Sequence, residues 1–237
     1  MAINSIDYNI SAFFNGCCRK SELFDRTVSF ISDNHLLKGG VLALVIWFVW
    51  YMRGVQRDER RQIIICGLAG TFLSMFLARI LPHVLEFRQR PLLNPANHFV
   101  EPYGLNRTAF DALSSFPSDH CALFFGLATC IFLASRRWGV FAFVYVLLII
   151  VFPRLYLGLH YATDIISGGI LGAAVVYIMT RRFFREKAGA PLLSYEAAYP
   201  GVFYSFFFLV TFAIGEMFTS MRTMATFVMH PHGQVHL

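Results

Sequence analysis

The feature that most limits what this chain can fold into is the recurrence of apolar runs on the scale of a bilayer. They fall at about 36–52, 62–82, 118–135, 138–153, 161–180 and 201–221. A hydrocarbon core of ~30 Å takes about 20 helical residues to cross, so the first and fourth runs are short and are expected to extend into the interface. The last carries Glu216. Backbone groups inside lipid must satisfy one another, which leaves α-helices for runs of this length. The expected fold is an all-α integral membrane protein, a bundle of about six transmembrane helices in a single domain over residues 1–237. A content of 57% hydrophobic and only 14% charged residues excludes an ordinary soluble domain and a disordered chain alike.

Residues 1–35 differ from the runs that follow. Ile6, Ile10, Phe13 and Phe14, and then Phe24, Val28 and Ile31, recur at helical spacing among polar residues, the pattern of amphipathic helices lying in the interface. No sustained apolar core marks a cleavable signal peptide there, so insertion is expected to rely on the internal spans. The formal charge is +6, but the basic residues form short clusters between apolar runs. Anionic head groups or phosphate are therefore better partners than nucleic acid. Of the five cysteines, Cys17 and Cys18 are adjacent and Cys66, Cys121 and Cys130 lie in apolar runs; the spacing fits small buried hydrophobes, not a disulfide framework or a zinc site.

With six spans, the connections after the first, third and fifth hold Arg53, Arg57, Arg60, Arg61, Arg136, Arg137, Arg181, Arg182, Arg185 and Lys187, and the positive-inside rule makes that side cytoplasmic. Segments His83–Pro117 and Arg154–His160 then face the other way. Arg19, Lys20, Arg26 and Lys38 run against this count. Gly168 and Gly172 form a small-xxx-small pair on the fifth run, expected to admit a close neighbouring helix.

Polar groups gather at the ends of four spans on the non-cytoplasmic side. His160 and Asp164 are four apart at a helix start, so they share a face and the carboxylate is within reach of the imidazole. Pro117-Ser118-Asp119-His120 has the form of a capped helix start, where free N–H groups receive an anion. Arg90 and Arg154 are forked donors suited to phosphate oxygens. Taken singly, the His160–Asp164 pair reads first as a structural polar contact and either arginine as an interfacial one, while the helix start reads equally as a plain cap. Their order along the chain is more specific: Arg90-Pro91, then Pro117-Ser118-x-His120, then Arg154-x5-His160-x3-Asp164.

This order resembles the three signature motifs of the type 2 phosphatidic acid phosphatase superfamily, over residues 83–164. Two departures stand out: His83 occupies the position of the usual lysine, and Asp119 replaces the usual glycine of Pro-Ser-Gly-His. A Phe-Pro-Ser-Asp-His string with no first-motif lysine is most similar to the bacitracin-resistance type undecaprenyl-diphosphate phosphatases of that superfamily. The resemblance implies His160 as nucleophile, Asp164 orienting it, and His120 protonating the leaving oxygen and then activating water. It assigns Arg90, Arg154, Ser118 and the amides near Asp119 to the phosphoryl oxygens. His83 is the candidate replacement for the lysine, with Arg88 and Arg79 as stand-ins off the usual spacing.

No metal and no cofactor is required by that chemistry, and the partners implied are a lipid phosphate or diphosphate and the surrounding membrane lipids. The location implied is a bacterial inner membrane, with the site facing the periplasm or exterior. Undecaprenyl diphosphate is the expected substrate. Phosphatidylglycerophosphate, phosphatidic acid or lipid A, or transfer to another lipid, are the alternatives within the fold. A non-enzymatic lipid-binding or transport protein, with Glu216 at work inside the membrane, is the alternative outside it. The terminal His230-Pro231-His232-Gly233-Gln234-Val235-His236 stretch reads as a tail rather than a metal site. Oligomeric state is not encoded.

Overall fold

The structure, a computed structural model, describes residues 4–105 and 114–220. The His230–His236 tail lies outside the described residues. Among those described there are nine helices and no strand. They are α1 (Ser5–Asn15), α2 (Glu22–Asp33), α3 (Leu36–Tyr51), α4 (Arg57–Val84), α5 (Asp119–Ala134), α6 (Arg136–Tyr156), α7 (Ala162–Met179), α8 (182–198) and α9 (Pro200–Gly215).

Each of the six apolar runs is helical, but they are not alike in reach. Helices α4, α6 and α7, of 28, 21 and 18 residues, are long and apolar enough to cross a membrane. Helices α2 and α3 meet that measure only together, across a 63° bend, while α5 and α9 are apolar but shorter. The spans supported directly are thus three or four rather than six. The fourth run is longer than its apolar stretch: a wide i→i+5 turn at Val146–Val151 precedes Pro153. That turn relieves the clash a proline ring makes with the carbonyl four residues back, and the helix continues to Tyr156.

Helix α5 is the centre of the molecule, with α4, α6 and α7 packed around it. It is apolar all round, as a helix enclosed by others must be, and Leu123, Phe124, Ala128 and Cys130 are fully buried. Glycines let its neighbours approach. A Cβ on Gly168 or Gly172 of α7 would lie 2.3 Å from the Ser118 carbonyl oxygen or 2.1 Å from that of Ala122. One on Gly67 of α4 would lie 2.3 Å from Cys130 Sγ. The small-xxx-small pair therefore seats the head of α7 against the head of α5, which is where the site forms.

The N-terminal helices are built inside out relative to a soluble protein. Ile6 and Phe13 of α1 and Leu23 and Phe30 of α2 are exposed, whereas Asp7, Ser11, Asp25 and Ser32 are buried. Glu216 ends α9 and accepts bonds from the Ser220 backbone N–H (3.3 Å) and hydroxyl (2.8 Å), the role of a helix-end cap.

Candidate active site

Three chain segments converge at the heads of α5 and α7 and the tail of α6. The Ser118 N–H donates to the Asp164 carbonyl oxygen at 3.1 Å, tying the two helix starts together. The Arg90 turn grips the stretch before His160: Arg90 Nη1 donates to the Leu159 carbonyl at 3.0 Å, and the Leu92 N–H to that of Gly158 at 2.9 Å. Gly158 has φ +65°, in the left-handed region, and a Cβ there would meet the Phe99 ring at 2.6 Å, so only glycine fits. Tyr161 is buried beneath the Arg88 guanidinium, 4.4 Å from its ring centroid, and its hydroxyl accepts from Asn97 at 2.8 Å. It holds the loop after Arg90 and does not face outward.

His160 is 4% exposed. Its Nδ1 lies 2.8 Å from the Ser115 carbonyl oxygen and 3.8 Å from Asp164 Oδ2. A carbonyl only accepts, so Nδ1 carries the hydrogen and Nε2 keeps its lone pair. The carboxylate four residues on acts at one remove: Asp164 accepts from the Ser115 hydroxyl, the Tyr161 N–H (2.8 Å) and Arg88 Nη1, and so fixes the residue whose carbonyl fixes the ring. Burial first, and then the Arg90 charge, hold the His160 imidazole below its ordinary pKa, favouring the neutral form.

On α5, Ser118 caps the helix, its hydroxyl accepting from the Cys121 N–H at 3.4 Å. His120 Nδ1 is 2.9 Å from Asp119 Oδ1, which also takes the His120 N–H at 2.8 Å. The amides of His120 and Cys121, which the sequence offers to an anion, are thus taken by side chains at the helix start. Arg79 of α4 donates to Asp119 Oδ2 at 3.1 Å, so the acidic residue in place of glycine is held between a cation and an imidazole. Arg154 is 3% exposed and donates to Ser32 Oγ at 2.8 Å. Arg90, Asp119, Arg154, His120, His160 and Asp164 form one electrostatic cluster.

Seven of the residues singled out from sequence lie in this cluster or cap it; His83 does not join it. It is exposed in the last turn of α4, with no hydrogen bond to the groups around His160. Arg88 faces Asp164 and Asp7, and Arg79 faces Asp119. Three contributors carried no motif signal. Ser115 lies two residues before Pro117. Asp7 of α1 receives Arg88 Nη2 at 2.6 Å and the Thr163 hydroxyl at 2.6 Å. Lys38 of α3 is 5% exposed and sits in the field of Arg154 and Asp119. Only Lys38 had a sequence signal, being a lone charge at the head of an apolar run. Among the described residues no group of three or more His, Cys, Asp or Glu is placed to hold a metal ion.

Buried arginines, two held imidazoles and a capped helix start gather at the ends of apolar helices, an arrangement of cations and imidazoles chemically suited to a phosphate group. The chain belongs to the PAP2 superfamily, whose pattern its residues 62–188 match. Similar proteins are a Bacillus subtilis undecaprenyl-diphosphatase, BcrC, 24% identical over 75% of this chain and 84% of that one, and a Bacteroides thetaiotaomicron lipid A 4'-phosphatase, 45% identical over 72% of this chain and 73% of that one. An Escherichia coli K12 protein with the provisional name undecaprenyl-diphosphatase YbjG is 29% identical over 60% of this chain. The chain covers 65% of the length of that E. coli protein. No solved structure matches at comparable strength. A membrane lipid phosphatase is the class these findings support.

Proposed function

We propose that the protein hydrolyses a polyprenyl diphosphate, undecaprenyl diphosphate by preference, to the monophosphate and inorganic phosphate. The observation that carries the chemistry is the 2.8 Å contact from His160 Nδ1 to the Ser115 carbonyl, because it leaves Nε2 as the free nucleophile. Nε2 attacks the terminal phosphorus and the P–O bond to the lipid monophosphate breaks. His120, held through Nδ1 by Asp119, gives its proton to the departing oxygen. His120 then takes a proton from water, which attacks the phosphohistidine and releases phosphate. Arg90 and Arg154 stabilise the oxygens on which charge spreads, and Ser118 holds the helix start beside them. These cations supply the charge a metal would otherwise bring, so the reading is metal-independent.

The substrate rests on the undecaprenyl-diphosphatases among the similar proteins and on the Phe116-Pro117-Ser118-Asp119-His120 string. A second reading, removal of the 4'-phosphate of lipid A, is favoured by the 45% identical Bacteroides protein. In either case the site lies at span ends, where it reaches a phosphate whose tail stays in the bilayer. We place that face on the exterior of a bacterial cytoplasmic membrane, with α1 and α2 in the interface.

The test is phosphate release by the purified protein in detergent with EDTA, on undecaprenyl diphosphate, lipid A, phosphatidylglycerophosphate and phosphatidic acid. Release that prefers the polyprenyl diphosphate and falls at least ~10³-fold in His160→Ala is the expected outcome. Preference for lipid A keeps the mechanism and changes the substrate. Activity that vanishes with EDTA and returns with a divalent ion overturns the metal-independent scheme.

A further inference from the structure

The first motif lacks its lysine, and the exposed His83 does not reach the site. Another cation does. Lys38 is 5% exposed, yet its ammonium makes no hydrogen bond or ion pair among the described residues. It lies in the field of Arg154 of α6, Asp33 of α2 and Asp119 of α5, and its own charge acts on His120. The Lys38 side chain is enclosed with two basic groups, Arg154 and His120, in its field and only the Asp33 and Asp119 carboxylates to offset them, so a cation held there is costly without further negative charge. Such a placement persists where a bound anion compensates it.

The fold fixes Lys38 there by three contacts. Residues Leu36–Gly40 form a wide i→i+5 turn at the head of α3, a distortion that re-aims side chains and recurs at functional positions. The Leu37 carbonyl accepts from the Tyr145 hydroxyl of α6. On the opposite side Gly39 touches Gly215 of α9 so closely that a Cβ would fall 2.0 Å from its carbonyl oxygen. Helix α3 therefore cannot rotate to take Lys38 away from Arg154. The same bent unit reaches Arg154 a second time through Ser32 Oγ.

We propose that Lys38 is the third cation of the phosphate site, contacting phosphoryl oxygens beside Arg90 and Arg154 and supplying from α3 the charge that position 83 does not. This rests on the phosphatase reading and adds to it a recognition element outside the three motifs. It fits an anion bearing two or more negative charges, in contact with three fixed cations.

The experiment compares parent, Lys38→Met and Lys38→Arg in detergent. It measures phosphate release, inhibition by orthovanadate as a phosphate-shaped probe, and thermal unfolding with and without vanadate. Lys38→Met is expected to lose roughly 100-fold in kcat/KM and about tenfold or more in vanadate binding, with its unliganded Tm unchanged or raised because an uncompensated charge is gone. Lys38→Arg restores most of both. A Lys38→Met chain with parental turnover and vanadate affinity overturns the proposal, as does one whose unliganded Tm falls while vanadate binding stays parental, since that is a structural role. If the parent releases phosphate from no lipid but binds vanadate, and Lys38→Met does not, the phosphatase reading fails and the Lys38 assignment stands. A parent that does not bind vanadate overturns the assignment.

Discussion

At the scale of single residues, the tautomer of His160 is the detail on which the chemistry turns. A hydrogen on Nδ1 is dictated by the acceptor-only Ser115 carbonyl, and the ring is held below its ordinary value by burial and by Arg90. Nitrogen-15 NMR of histidine-labelled protein in micelles, assigned with His160→Gln, is expected to show Nδ1 protonated and Nε2 bare at neutral pH. The sign of the titration follows: a depressed imidazole stays neutral as pH falls through ~6.5, so its midpoint lies lower. Removing the neighbouring charge in Arg90→Gln moves that midpoint upward. A resonance with the hydrogen on Nε2 would end the assignment of His160 as nucleophile. The sequence made this residue legible through spacing, since Arg154, His160 and Asp164 stand in fixed register. It did not show how Asp164 works, because the ring's partner is a backbone carbonyl 45 residues earlier, and backbone acceptors leave no trace in residue identity.

At the scale of elements, the site depends on two helix starts held against each other. Gly168 and Gly172 were readable as a close-approach pair, and the contact is backbone to backbone: the Ser118 carbonyl that would meet a Gly168 Cβ at 2.3 Å belongs to the residue capping α5. A main chain cannot swing aside as a side chain does, so Gly168→Ala is expected to cost about 1–3 kcal/mol by overpacking and to reduce activity by displacing Ser118 and His120. Gly201, with nothing within 4 Å of a Cβ, is the matched control. Gly201→Ala leaves activity unchanged and stabilises α9 by up to ~1 kcal/mol through helix propensity. Thermal unfolding and phosphate release on the two variants check this; equal effects would show that the α5–α7 contact does not position the site. Less of the N-terminal elements was legible. Their helical spacing was plain, but Asp7 lies among polar residues that read as a solvated face, and only the assembled fold buries it against Arg88 and Thr163. There burial alone would push its carboxyl up; the Thr163 bonds and the Arg88 charge outweigh it and hold the carboxyl below its ordinary range.

At the scale of the whole molecule, two sets of ion pairs stand at opposite ends of the longest helix. Helix α4 has 28 residues, about 42 Å at 1.5 Å per residue. At its start Arg61 pairs with Glu196 at 3.2 Å, and Arg185 pairs with Glu59; near its other end Arg79 meets Asp119 of the site. One of the four cations that run against the positive-inside count, Lys38, is buried in the field of Arg154 and so is not a loop charge. Arg61 is equally buried and leaves the tally on the same ground, while Arg19, Lys20 and Arg26 still run against it; the count that remains keeps more basic residues at the end that holds Arg53, Arg57 and Arg60, the end expected to face the cytoplasm. Counting misplaces Lys38 because it assigns a residue near a run's end to the loop, whereas Lys38 is buried just after the bend between α2 and α3. Orientation is then testable without reference to activity. In a chain with its five cysteines replaced by alanine, a cysteine at exposed Val84, at the site end of α4, is expected to react with an impermeant maleimide on intact spheroplasts. One at exposed Val55, beside the start of α4, reacts only after permeabilisation. The reverse pattern would put the site in the cytoplasm, where it would meet lipid phosphates as they are made, and would overturn the proposed hydrolysis of a carrier lipid on the outer face.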